Sequence, residues 1–99
     1  MHYFAVAASN EAAFVSYPSR LLCEVAGDRT ADWMYQPSEH SRRQRISLNG
    51  TIDGARGGRY TVDGSSLIIN EVKTSDAGIY ICGHDSQLYH KLQLSVDGM

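Results

Sequence analysis

The sequence predicts an all-β domain, a sandwich or barrel, and three observations carry that prediction. Turn signals recur at short intervals: Tyr17-Pro18-Ser19, Ala26-Gly27-Asp28, Gln36-Pro37-Ser38, Asn49-Gly50, Gly57-Gly58, Asp63-Gly64 and Thr74-Ser75-Asp76. Between them lie short runs rich in β-branched and aromatic residues. No segment sustains a 3.6-residue apolar period with helix caps. With 99 residues and 42% hydrophobic content, the chain suits one compact domain spanning 1–99.

Taken in order, strands are expected near 3–8, 12–16, 20–26, 31–36, 43–48, 59–63, 66–71, 78–84 and 88–96, with a very short one at 51–54. The run Tyr3 to Ala8 is read as a first strand; it ends in an Ala-x-Ala-like pattern but lacks the basic leader and apolar core of a signal peptide. It is also far shorter than the roughly 20 residues a membrane-spanning helix needs, so no membrane contact is expected within this fragment. Asp63-Gly64-Ser65 reads as a hairpin turn, because glycine tolerates the positive φ such turns need. Alternation puts Tyr60 with Val62, Leu67 with Ile69, and Leu92 with Leu94 and Val96 on core faces.

Charge bounds the function. Nine basic and eleven acidic residues give a net charge of −2, which argues against a nucleic-acid binder held by phosphate neutralisation. The basic residues are nonetheless uneven: Arg42, Arg43 and Arg45 form an RRQR cluster, either a contact for an anionic partner or a solvated loop. The four histidines, His2, His40, His84 and His90, have no recognisable metal spacing; His84 and His90 are expected near one solvated loop, and neither a metal site nor a cofactor is expected. Nothing resembles a nucleophile elbow, so an enzyme is not expected. Two cysteines fit either one disulfide in an oxidising compartment or two reduced core thiols.

In Thr74-Ser-Asp-Ala-Gly-Ile-Tyr-Ile-Cys-Gly83, the residues Asp76, Gly78, Tyr80 and Cys82 fall at two-residue steps and therefore on one face of a strand. Together with Cys23 in Arg20-Leu-Leu-Cys-Glu-Val25 and Trp33 in Asp32-Trp-Met-Tyr-Gln36, this series resembles the immunoglobulin superfamily across nearly the whole chain. The resemblance implies an immunoglobulin-like Greek-key β-sandwich of two antiparallel sheets with an inter-sheet Cys23–Cys82 disulfide and Trp33 packed upon it. It further implies a tyrosine corner at Tyr80, a tight turn kept by Gly78, and an Arg59–Asp76 ion pair. The long interval between the cysteines, including the RRQRISLNGTIDGARGG stretch, favours a variable-type domain, with an intermediate-type domain as the alternative. The last strand lacks a Phe-Gly-x-Gly bulge, which sets the chain apart from antibody and T-cell-receptor variable chains.

Period two also names a candidate binding face. If Trp33, Tyr35, Tyr80 and Cys82 point inward, Met34, Gln36, Ile81 and Gly83 point out of the same sheet. Ile46 and Leu48 are then expected inward, with Arg43, Arg45 and Ser47 outward; on the last strand Tyr89, Lys91 and Gln93 point outward. Apolar Met34, Ile81 and Tyr89 ringed by arginine and glutamine have the makeup of a protein interface. The resemblance implies pairing through this sheet, with another such domain or as a homodimer in which two Gln36 side chains exchange amide hydrogen bonds. Asn49-Gly50-Thr51 is a glycosylation sequon and also an Asn-Gly turn signal. The function expected is an extracellular recognition module of a cell-surface or secreted receptor, in adhesion or immune recognition. The alternative is a structural intermediate-type module of an intracellular muscle or cytoskeletal protein, and a third expectation is ligand capture by loops at the Gly27 and Asp85 end.

Overall fold

The structure, a computed structural model, describes residues 7–84 and 88–98; the side chains of residues 7, 8, 25, 55, 88 and 89 are outside that description. The strands are β1 (Ala7–Phe14), β2 (Ser19–Leu22), β3 (Asp32–Gln36), β4 (Gln44–Leu48), β5 (Thr51–Ile52), β6 (Tyr60–Asp63), β7 (Ser66–Ile69), β8 (Gly78–His84) and β9 (Leu88–Asp97). They form a six-stranded sheet in the order β1-β9-β8-β3-β4-β5 and a three-stranded sheet in the order β2-β7-β6. This is an all-β immunoglobulin-like sandwich with one disulfide between its sheets.

Three expectations need correction. The sheets are not both antiparallel: β1 runs parallel to β9, with Ala7 opposite His90 and Phe14 opposite Asp97. A parallel pair needs a long crossover, and the entire domain lies between these two strands, so the requirement is met. The strands expected at 3–8 and 12–16 are one strand in the described part, β1; residues 3–6 lie outside the described residues. Its chain turns at Ser16, whose φ is 79° and whose N–H donates to the Val72 carbonyl at 2.8 Å. The strand expected to run to residue 26 stops at Leu22, and a 3-10 turn, Glu24–Ala26, follows and closes on Gly27 at φ 64°. A glycine is suited there because a side chain is strained at positive φ.

Alternation builds the core. Across the smaller sheet Leu21 stands opposite Leu67, which stands opposite Val62, and Ser19, Ile69 and Tyr60 form the next row. The larger sheet contributes Trp33, Tyr80, Cys82, Leu92, Leu94 and Ile46, all buried, with Tyr35, Val62 and Val96 packed partly buried against them. Fully burying an aliphatic or aromatic side chain contributes about 1.5–3 kcal/mol, so these rows supply the main driving force for folding.

Cys23 and Cys82 are joined, with Cα atoms 5.9 Å apart and a sequence separation of 59. Trp33 is directly opposite Cys82 in the β3–β8 ladder and is fully buried. Its indole N–H has no hydrogen-bond partner among the described residues.

Candidate functional site

The residues of the signature segment form the base of the sandwich. Arg59 reaches Asp76 with both ends of its fork, Nη1 donating to Oδ1 at 2.8 Å and Nη2 to Oδ2 at 2.9 Å. The Lys73 backbone N–H adds a third bond to Oδ2 at 2.7 Å. Burial alone would raise the Asp76 carboxyl, but the guanidinium and the Lys73 N–H outweigh it and hold it below the usual range. Tyr80 donates its hydroxyl to the Asp76 carbonyl at 2.7 Å, and burial pushes that phenol far above its ordinary value, so it is a permanent donor. Gly78 has φ 143°, and a Cβ there would lie 2.9 Å from the Tyr35 ring and hydroxyl. Tyr35 in turn donates to the Ala77 carbonyl at 2.6 Å. All these groups are spent on one another, which makes this region scaffold.

The outer face of the six-stranded sheet is the remaining candidate. Register places Met34 opposite both Ile81 and Arg45, Gln36 opposite Ile79, and Gly83 opposite Asp32 and Tyr89. Exposure departs from expectation. Ile81 is 1% exposed, Ile79 4% and Gln36 6%, and Gly83 is buried; Met34 is half-buried, while Arg43 and Arg45 are exposed. The cause is flanking. Ile81 sits on the central strand between Met34 and Lys91, two long side chains able to lay their stems over it. Lys91 points on to Glu39, with Nζ 3.7 Å from Oε1, across the outer side of β8. The Tyr89 side chain lies outside the described residues.

Gln36 is also engaged differently from the reciprocal contact expected of it. Its amide Nε2 donates to the Glu39 carbonyl at 3.0 Å and the Ser41 carbonyl at 2.8 Å, so it fastens the β3–β4 loop instead of facing a mate. Its Oε1 is buried with no partner among the described residues. Under that loop a cavity of about 200 Å³ is lined by Ser9, Asn10, Glu39, Ile79, Lys91 and Gln93.

On β4 the expected alternation fails beyond Arg45. Trp33 pairs with Ser47 and Met34 with Arg45, leaving Ile46 as the extra residue of a β-bulge. Ile46 is fully buried as expected, but Ser47 is 1% exposed and Leu48 is 41% exposed, the reverse of what strict period two requires. Asn49 stands at φ 52° and Gly50 at φ 82° in the exposed β4–β5 turn, and the Asn49 N–H donates to Asp32 Oδ1 at 2.8 Å.

His90 is a residue that sequence reasoning misplaced. It lies on β9 opposite Cys82, on the core face, 3% exposed, with Nε2 3.0 Å from the Ser9 hydroxyl. Extending the Leu92, Leu94, Val96 alternation one step back would have found it. His84 is half-buried on β8, and Asp85 lies outside the described residues. Among the described residues no group of three or more potential metal ligands gathers. Compared with known proteins, the chain matches no family model and no curated protein.

Proposed function

We propose that this chain is a variable-type immunoglobulin domain serving as the extracellular recognition module of a cell-surface or secreted receptor. It would bind a protein partner through the outer face of its six-stranded sheet, in adhesion or immune recognition. The observation that carries the reading is that half-buried Met34 stands beside exposed Arg45 on adjacent strands of this face, with no further layer of strands packed over them among the described residues. The sheet order, with β4 and the short β5 added beyond β3, supports the variable type over the intermediate type. A bridge between Cys23 and Cys82 fits an oxidising compartment.

Anchoring passes from Ile81 to Met34, because Ile81 is too buried to meet a partner and Ile81→Asp would test folding rather than binding. A two-fold pairing of this face would be made by Met34 and Arg45, with Gln36 occupied by its own loop. Screening the domain against a panel of cell-surface ectodomains, itself included, tests the reading: binding that Met34→Asp and Arg45→Glu abolish, and Arg29→Glu leaves intact, supports it. Binding lost only by substitutions around Gly27 would move the site to the loops. A native protein isolated with both cysteines reduced would favour the intracellular structural module instead.

A further inference from the structure

Among the described residues, three of the nine lysines and arginines are in ion pairs, and of the others Arg29 and Lys73 stand apart while the rest gather around β4. Arg20 pairs with Asp63, Arg59 with Asp76 and Lys91 with Glu39. Arg42, Arg43 and Arg45 are exposed and pair with no carboxylate among the described residues. The fold adds a fourth cation to them. In the 3-10 turn Gly54–Arg56, the Arg56 side chain returns to β4, Nε donating to the Arg45 carbonyl at 3.1 Å and Nη2 to the Gln44 side-chain oxygen. These two bonds hold the guanidinium against β4, and Tyr60 lies within its hydrogen-bonding reach as well. Residues 42–56 thus hold four arginines and a single carboxylate, Asp53, in a chain whose net charge is −2.

We propose that this β4 edge is a binding site for a sulfated polysaccharide. Each planar guanidinium fork matches the oxygens of a sulfate, and a row of them along an edge matches a linear polyanion. Neutralising such a chain releases its condensed counterions, which supplies affinity without an enclosed pocket. Along the arginine-bearing segment itself the side chain between Arg43 and Arg45 is exposed Gln44 and the next, Ile46, is buried in the core, so its outward side is polar and cationic; the apolar neighbours, half-buried Met34 across from Arg45 and Leu48, flank it. The described cavities are lined by none of these arginines. The site does not rest on the protein-binding reading of the sheet face, since it requires neither Met34 nor a second protein.

Immobilised heparin is the probe. At an ionic strength of about 0.15 M, where exposed charges are already largely screened beyond ~8 Å, the wild-type domain is expected to be retained despite its net negative charge and to elute with added salt. Arg43→Ser/Arg45→Ser should weaken heparin binding by about tenfold or more. The charge-matched control Arg29→Ser/Lys73→Ser should elute with the wild type, as should the neutral Met34→Ser. Circular dichroism checks that each variant is folded. Three results would overturn the site: wild-type flow-through at that salt, equal losses in the two double variants, or equal retention on immobilised polyglutamate, which would point to an acidic protein.

Discussion

Asp76 concentrates the energetics of single residues in this domain. Its side chain is 4% exposed and fully engaged, so removing the partner strands a carboxylate that water cannot reach. Arg59→Met is expected to cost about 3 kcal/mol, the lower end for a broken buried pair because the arginine is partly exposed, measured as a lower urea midpoint. The sign of the pH dependence follows from the depressed carboxyl. Its stabilising contribution is complete above the ordinary value of 3.8 and is lost as pH falls through the lower folded value, so acid unfolding should steepen below about pH 4. Asp76→Asn should flatten that acid limb. At Gly78 the backbone is strained for any side chain and the Tyr35 ring fills the space, so Gly78→Ala should destabilise by about 1–3 kcal/mol. A melting temperature equal to wild type would contradict the close approach. These roles were readable from the two-residue spacing of Asp76, Gly78, Tyr80 and Cys82 because strand alternation and local hydrogen bonding fix them, whereas the burial of Ile81 was not. Alternation gives a side chain's direction; coverage depends on how the long neighbours Met34 and Lys91 lean, which is a tertiary matter.

Among the elements, β4 and its turn show where period two stops being a sufficient guide. The strands of the smaller sheet follow it, and Tyr60, Leu67 and Ile69 are buried where expected. In β4 the bulge at Ile46 inserts one residue and exchanges the environments of Ser47 and Leu48, and nothing in RISL marks it, since bulges answer to sheet twist rather than to a local residue type. The turn that follows was legible, because asparagine and glycine at successive positive φ values form the tight hairpin their dipeptide signals. Asn49 at this tip is open to modification. Expressed through a secretory host, the domain is expected to carry a glycan there, seen as a mass shift that Thr51→Ala removes; an unmodified secreted protein would refute occupancy. The edge position of Arg56 was hidden for a different reason: the 3-10 turn folds it back onto Gln44 and Arg45.

For the molecule as a whole, one covalent link between the sheets stands against a total stability of only ~5–15 kcal/mol for a domain of this kind. Replacing Cys23 and Cys82 together by alanine should cost roughly 4 kcal/mol in the chain-entropy account of a loop this long, read as a reduced urea midpoint. A variant as stable as the wild type would mean that the bridge adds little to the packing of Trp33 and its neighbours. The pairing of the first strand with the last has a mechanical consequence. Because β1 and β9 run in the same direction, tension applied at Ala7 and Asp97 pulls the two strands lengthwise past each other and loads their hydrogen bonds together, instead of peeling them apart singly. Should that seam give way, the Cys23–Cys82 bond still carries the load past the interior of the fold, so the chain between the cysteines stays slack and cannot be drawn out.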